Sequence, residues 1–133
     1  IYDPKRRALM LVHLGRHSTV AQLMSRAVRY FVERGSQAKE LQIWMSPSIT
    51  QKNYRMDYFD HTNDTNWHNF CRQTADGIYL DMQGFNCSLA IQAGVPADNI
   101  VISPIDTADD PNYFSHSAGD TAGRIAVVAM MRG

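Results

Sequence analysis

The feature that most constrains this chain is the run Ala8 to Leu14, Ala-Leu-Met-Leu-Val-His-Leu, which stops at Gly15 and gives way to a helical pattern. A nearly continuous apolar run of that length predicts a strand buried on both faces, the kind found in sheets covered by helices. From Thr19 to Arg34, the residues Val20, Leu23, Met24, Ala27 and Phe31 recur at three and four positions, the spacing of a helix with one apolar stripe. Thr19 with Gln22 predicts a capping box at its start, and Gly35 a glycine cap at its end.

Further along, Leu41 to Met45 predicts a short strand stopped by Ser46-Pro47, and Asn53 to Phe70 an irregular segment with some helix. Met82, Phe85, Leu89 and Ala93 mark a second amphipathic helix, ended by Gly94 and Pro96. Asn99 to Ser103 predicts a strand, Pro104 to Gly123 a loop, and Arg124 to Met131 a buried closing strand. The order β-α-β-loop-α-β-loop-β predicts an α/β (α+β) fold, a mixed sheet layered with helices, in one domain over residues 1–133.

Thirteen basic residues balance thirteen acidic ones, so charge does not point to nucleic acid or to an anionic membrane surface. No apolar run reaches the roughly 18–20 residues of a membrane span. Two cysteines, Cys71 and Cys87, are too few for a disulfide scaffold. With no signal-peptide pattern, the expectation is a soluble, intracellular protein. Ile1-Tyr2-Asp3-Pro4 reads as the end of a strand entering a turn, so the domain is expected to be incomplete at its N-terminus.

Three stretches carry residue types suited to chemistry. In His13-Leu14-Gly15-Arg16-His17-Ser18-Thr19 a strand ends in an imidazole beside a helix N-terminus, which offers N–H groups to an anion; the other reading is a satisfied core histidine and an ordinary turn. His61, His68 and Cys71 are zinc-type ligands, but their spacing fits no metal motif and suits a polar surface segment better. The late loop holds Asp106-Thr107, Ser115-His116 and Gly123-Arg124; it reads equally as the lining of an anion or ribose pocket and as a set of turn formers.

Taken together and in order, these stretches resemble the multicopper polyphenol oxidoreductase (laccase)-like domain family, also described as zinc-dependent purine nucleoside phosphorylases. The carriers are Tyr2-Asp3-Pro4, His13 to Thr19, Ser46-Pro47-Ser48-Ile49 with Tyr54, Leu80-Asp81 with Asn86 and Leu89, Gly94-Val95, Asp106-Thr107, Tyr113 to Ser117 and Thr121 to Arg124. The resemblance spans nearly the whole chain and corresponds to the C-terminal half of the family domain. It implies a laccase-domain-like sandwich and a zinc-assisted site acting on purine nucleosides by phosphorolysis or adenosine deamination. It makes His13 a metal ligand and implies catalytic roles for His13, His17, Asp106 and His116. Purine nucleoside and phosphate would be met by Gly15, Ser18, Thr19, Ser48, Tyr54, Ser115 and Arg124.

The chain departs from the family at several points. The family's Trp-Arg pair is Arg16-His17 here, its late cysteine is Asp106, and the arginine after Ser-His is Ser117. The upstream His and Cys ligands are absent from this sequence. Two expectations follow. One is a zinc-dependent phosphorylase or deaminase completed by a protein partner or by the missing upstream half. The other is a catalytically inactive domain serving a larger assembly, with Tyr54, Tyr58, Phe59, Trp67 and Phe70 as an exposed aromatic interface.

Overall fold

The computed structural model describes residues 1–132. The chain is a mixed α/β protein, and its contacts divide it into two units, one made of Ile1–Ser46, Asn86–Ile102 and the stretch from Val127, the other of Pro47–Phe85 and Ser103–Ala126.

The first unit opens with a hairpin. Strand β1 (Tyr2–Asp3) pairs antiparallel with β2 (Ala8–Leu9). Asp3, almost fully buried, shapes the turn: its carboxylate accepts the amides of Lys5 at 2.9 Å and Arg6 at 3.0 Å. Hydrogen bonds from the Ser36 side chain and the Arg6 amide hold its carboxyl below the usual range, against the opposing push of burial. The strand expected over Ala8 to Leu14 is shorter. The ladder ends where Met10 N–H donates to the Ile1 carbonyl at 2.9 Å. Leu11 is 57% exposed and His13 is exposed as well.

Two helices stand where one was predicted, α1 (Arg16–Val20) and α2 (Leu23–Glu33). The break is Gln22, whose φ of 55° and ψ of 40° are left-handed; that conformation costs a non-glycine residue roughly 1–2 kcal/mol. No side-chain cap forms, because Thr19 lies inside α1 and is buried. The stripe of α2 buries Met24, Ala27, Val28 and Phe31. Its end is a Schellman motif, with Gly35 N–H on the Val32 carbonyl, Ser36 N–H on the Phe31 carbonyl and Gly35 at φ 93°.

Strand β3 (Ile43–Met45) lies in this unit, and its inward residues Ile43 and Met45 are buried. The second unit carries a three-stranded antiparallel sheet of β4 (Arg55–Met56), β5 (Cys71–Thr74) and β6 (Gly77–Leu80), in the order β4-β6-β5. The β5–β6 hairpin closes on Ala75-Asp76, and Asp76 accepts the hydroxyls of Thr74 and Tyr79. The same unit holds an aromatic core. Trp67 stacks on Phe85 with centroids 3.9 Å apart and planes 7° off parallel, and Phe59 meets Trp67 edge-on at 4.9 Å. This corrects the expected exposed aromatic interface: Phe59 and Trp67 are buried, Tyr54 and Phe70 are half-buried, and of that set Tyr58 alone is exposed.

Helix α3 runs over Met82–Gln92, with Phe85, Leu89 and Ala90 buried, and ends in a second Schellman motif at Gly94. Strand β7 (Ile100–Ile102) then pairs parallel with β3, setting Trp44 beside Val101. The closing strand predicted over Arg124 to Met131 does not form among the described residues; Val128 and Met130 are 88% and 81% exposed. No helix of the described chain is long and apolar enough to cross a membrane.

Candidate functional site

In the first unit, His13, Gly15, His17, Ser18 and Thr19 share the turn into α1. Gly15 has extended backbone, and its carbonyl accepts the Thr19 amide at 2.9 Å. The His13 imidazole folds over Gly15: a side chain there would bring its first carbon within 2.9 Å of His13 Nε2. The glycine is therefore what lets an exposed imidazole lie against the head of the helix. The Ser18 hydroxyl donates to the carbonyls of His13 at 2.8 Å and Gly15 at 3.0 Å, so it holds the turn together. His17 is on α1 and His13 is not, so the two imidazoles do not share a helical face.

Thr19 faces inward. Its side chain is fully buried and accepts the Asn86 Nδ2 donor at 2.9 Å, deep in the unit. That links the histidine turn to α3 through two residues of the resemblance, and it gives Thr19 a structural duty.

In the second unit, Ser48 and Asp106 form an isolated parallel bridge, and the Thr107 amide donates to the Ser48 carbonyl at 3.2 Å. The Asp106 carboxylate accepts the Thr50 amide at 3.2 Å, the Thr50 hydroxyl, Asn53 Nδ2 at 3.0 Å and the Ala108 amide at 2.8 Å. Burial pushes its carboxyl up, but these donors outweigh burial and hold it below the usual range. Asp106 thus ties the segment before Tyr54 to the late loop. Thr50 and Asn53 were not singled out from the sequence; 56 and 53 residues from Asp106, they carried no local signal. Tyr54 continues the same turn, its amide on the Thr50 carbonyl and its own carbonyl taking the Leu80 amide.

Ser115, His116 and Arg124 belong to the late loop of that unit. Ser115 is buried and its amide donates to Asp120 Oδ2 at 2.9 Å. His116 begins the exposed single turn His116–Ala118. Arg124 turns its Nη1 back onto the carbonyls of Thr121 at 3.0 Å and Gly123 at 2.6 Å. The predicted residues thus lie on three chain segments, the turn into α1 in the first unit and the Ser48–Asp106 bridge and the late loop in the second.

Zinc usually takes three or four protein ligands. Among the described residues no group of three or more His, Cys, Asp or Glu is placed to hold a metal. The donors of this chain therefore do not make a zinc site by themselves, and His61, His68 and Cys71 do not form one.

A mixed α/β chain whose histidine turn opens a helix, with a second unit built round a short antiparallel sheet, is the architecture of a laccase-like domain. The chain belongs to the multi-copper polyphenol oxidoreductase laccase family, whose model matches residues 1–132. It is 26% identical over 140 residues to a purine nucleoside phosphorylase, YlmD, of Bacillus subtilis (strain 168), across 97% of this chain and 50% of that protein. The crystal structure of the Bacillus licheniformis hypothetical protein YfiH superposes with a TM-score of 0.79 at 25% identity, over 88% of this chain and 47% of the other. YlmD from Geobacillus stearothermophilus shares the fold, with a TM-score of 0.67 at 23% identity over 78% and 42% of the two chains. The chain thus spans about half the length of these relatives.

Proposed function

We propose that this chain supplies part of the site of a purine nucleoside phosphorylase- or deaminase-type enzyme, and that the His13 turn is the part it supplies. The observation that carries this is the exposed imidazole held over Gly15 at the head of α1. Phosphorolysis joins a phosphate oxygen to ribose C1′ as the bond from C1′ to the base nitrogen breaks, and the purine leaves with the bonding pair. The leaving base needs a proton, and an imidazole open to ligand is the side chain suited to deliver it. No step is assigned to a metal, since this chain's donors do not complete a metal site. His116 and Arg124 remain proposed contacts for anionic ligand on the second unit's late loop.

The relative named a phosphorylase is twice as long as the stretch it shares with this chain, so turnover is expected only when the other half of the fold is supplied. Inosine or adenosine with phosphate, followed by chromatography of the free base and of inosine, tests this. The chain alone should release nothing. With the unmatched half of the Bacillus subtilis relative bound, base should appear, and His13→Ala should slow its release by about 100-fold or more, the usual worth of a positioned acid. Turnover unchanged by His13→Ala would remove the reading.

A second reading, a catalytically inactive domain with a structural role, is favoured by one observation: the Asp106 carboxylate is already committed to four donors within the fold. Bound complement with no base and no inosine released is its expected result.

A further inference from the structure

We propose that this chain associates with a second copy of itself, the basic outer side of α2 on one copy receiving the acidic loop Asp57–Asp60 of the other.

The two units carry opposite charge, although the chain as a whole carries none. Nine of the thirteen basic residues lie in the first unit with four acidic ones, and nine of the thirteen acidic residues lie in the second with four basic ones. With histidine neutral, that leaves +5 on the first unit and −5 on the second. The balanced total conceals two strongly charged bodies, each of which attracts its opposite on a neighbouring molecule.

In the first unit, unspent cations stand on α2. The inner side of this helix is the buried stripe of Met24, Ala27, Val28 and Phe31. On its outer side Arg26 and Arg29 are exposed and three positions apart, so they are neighbours on the helix surface. Neither guanidinium has an ion-pair or hydrogen-bond partner among the described residues, whereas Lys5 of the same unit is held by Glu40 at 3.0 Å. Arg34, at the end of the helix, lays its guanidinium on the Tyr30 ring, 3.4 Å from the centroid. Glu33 is the one carboxylate in α2, so this side keeps a net positive charge.

In the second unit most carboxylates are committed to the fold, where they accept hydrogen bonds or hold Lys52. The loop Asp57–Asp60 is the exception. Asp60 is exposed and has no partner among the described residues, and the Asp57 side chain is 86% exposed and meets Arg55 alone. Between them Tyr58 is 73% exposed, while Phe59 turns inward against Trp67 and anchors the loop. Two carboxylates flanking an open ring suit a pair of neighbouring arginines: the carboxylates accept from the guanidinium groups, and the ring offers its face to one of them. A nucleic acid would be drawn to the same arginines, but the second unit repels phosphate. A second copy brings the complement that the basic side lacks.

Sedimentation of the full chain over a concentration series tests this, at low salt and at about 1 M salt, where the screening length has shrunk to about 3 Å. Self-association is expected at low salt and should fade at high salt. Arg26→Glu with Arg29→Glu, or Asp57→Lys with Asp60→Lys, should each weaken it about tenfold or more, because attraction becomes repulsion, with circular dichroism unchanged. The two double variants mixed together should associate again, since the intact loop of one meets the intact helix of the other. A wild-type chain that stays monomeric at low salt overturns the proposal. So does association that salt strengthens, that neither double variant weakens, or that the mixture fails to restore. A chain that stays monomeric while Arg26 and Arg29 retain a labelled oligonucleotide overturns it in favour of nucleic acid.

Discussion

Replacing Thr19 with valine swaps a hydroxyl for a methyl of nearly the same size, so no cavity opens. What is lost is the acceptor that Asn86 Nδ2 uses at 2.9 Å, at a point where Thr19 and Asn86 are 0% and 2% exposed. Water cannot take the acceptor's place there. The cost is the desolvation of one amide donor less the small gain of a buried methyl, about 1–3 kcal/mol. For a chain of 133 residues that corresponds to a fall in Tm of roughly 4–10 °C. Thr19→Ser keeps the hydroxyl and gives up one methyl, about 1 kcal/mol. Urea titrations with equal slopes, read alongside Tm, should therefore rank wild type above Ser above Val. If both variants fell within 0.5 kcal/mol of wild type and Thr19→Val instead weakened nucleoside or phosphate binding, the hydroxyl would be a ligand contact and the structural role assigned to it would be wrong.

Trp67→Ala removes the ring stacked at 3.9 Å on Phe85 and should cost about 3–5 kcal/mol in urea unfolding; a loss under 1 kcal/mol would show that the aromatic core is not packed as described. Asp106 has a carboxyl held below its ordinary value of 3.8, so its contribution is complete at neutral pH and is lost as pH falls through the lower folded value. Asp106→Asn should accordingly flatten the part of the urea-midpoint profile that declines below about pH 4, and an unchanged acid limb would contradict the assignment. Gln22→Gly should be neutral or stabilising by up to about 1 kcal/mol, since relief of the left-handed strain outweighs the entropy a glycine adds; Gln22→Val should destabilise, and calorimetry of the pair tests the sign.

The elements that could be read correctly were those whose signal is local. The stripe Met24, Ala27, Phe31, the glycines at 35 and 94, and the short strands near Ile43 and Ile100 each follow from periodicity or from a cap that glycine alone satisfies cheaply. Gln22 was misread because Thr19-x-x-Gln22 matches a capping box, while tertiary burial of Thr19 against Asn86 moved the helix start back to Arg16. The hairpin at Cys71–Leu80 carries a local turn signal in Asp76-Gly77, but its strands show no clean apolar alternation. Near the candidate site, the helix start after Gly15 has a local signal, although the strand expected to end at His13 stops at Leu9. The binding of Asp106 to Thr50 and Asn53 has none, because side-chain hydrogen bonds across more than fifty residues leave no periodic trace.

The strand expected over Ala8 to Leu14 is cut to Ala8–Leu9, and the one expected over Arg124 to Met131 does not form among the described residues. An apolar run records the environment in which a segment was selected to be buried, and it cannot say which polypeptide supplies the cover. In this chain Leu11, Val128 and Met130 stand in solvent with the composition of core residues, as do Trp44 and Val101 of the parallel pair.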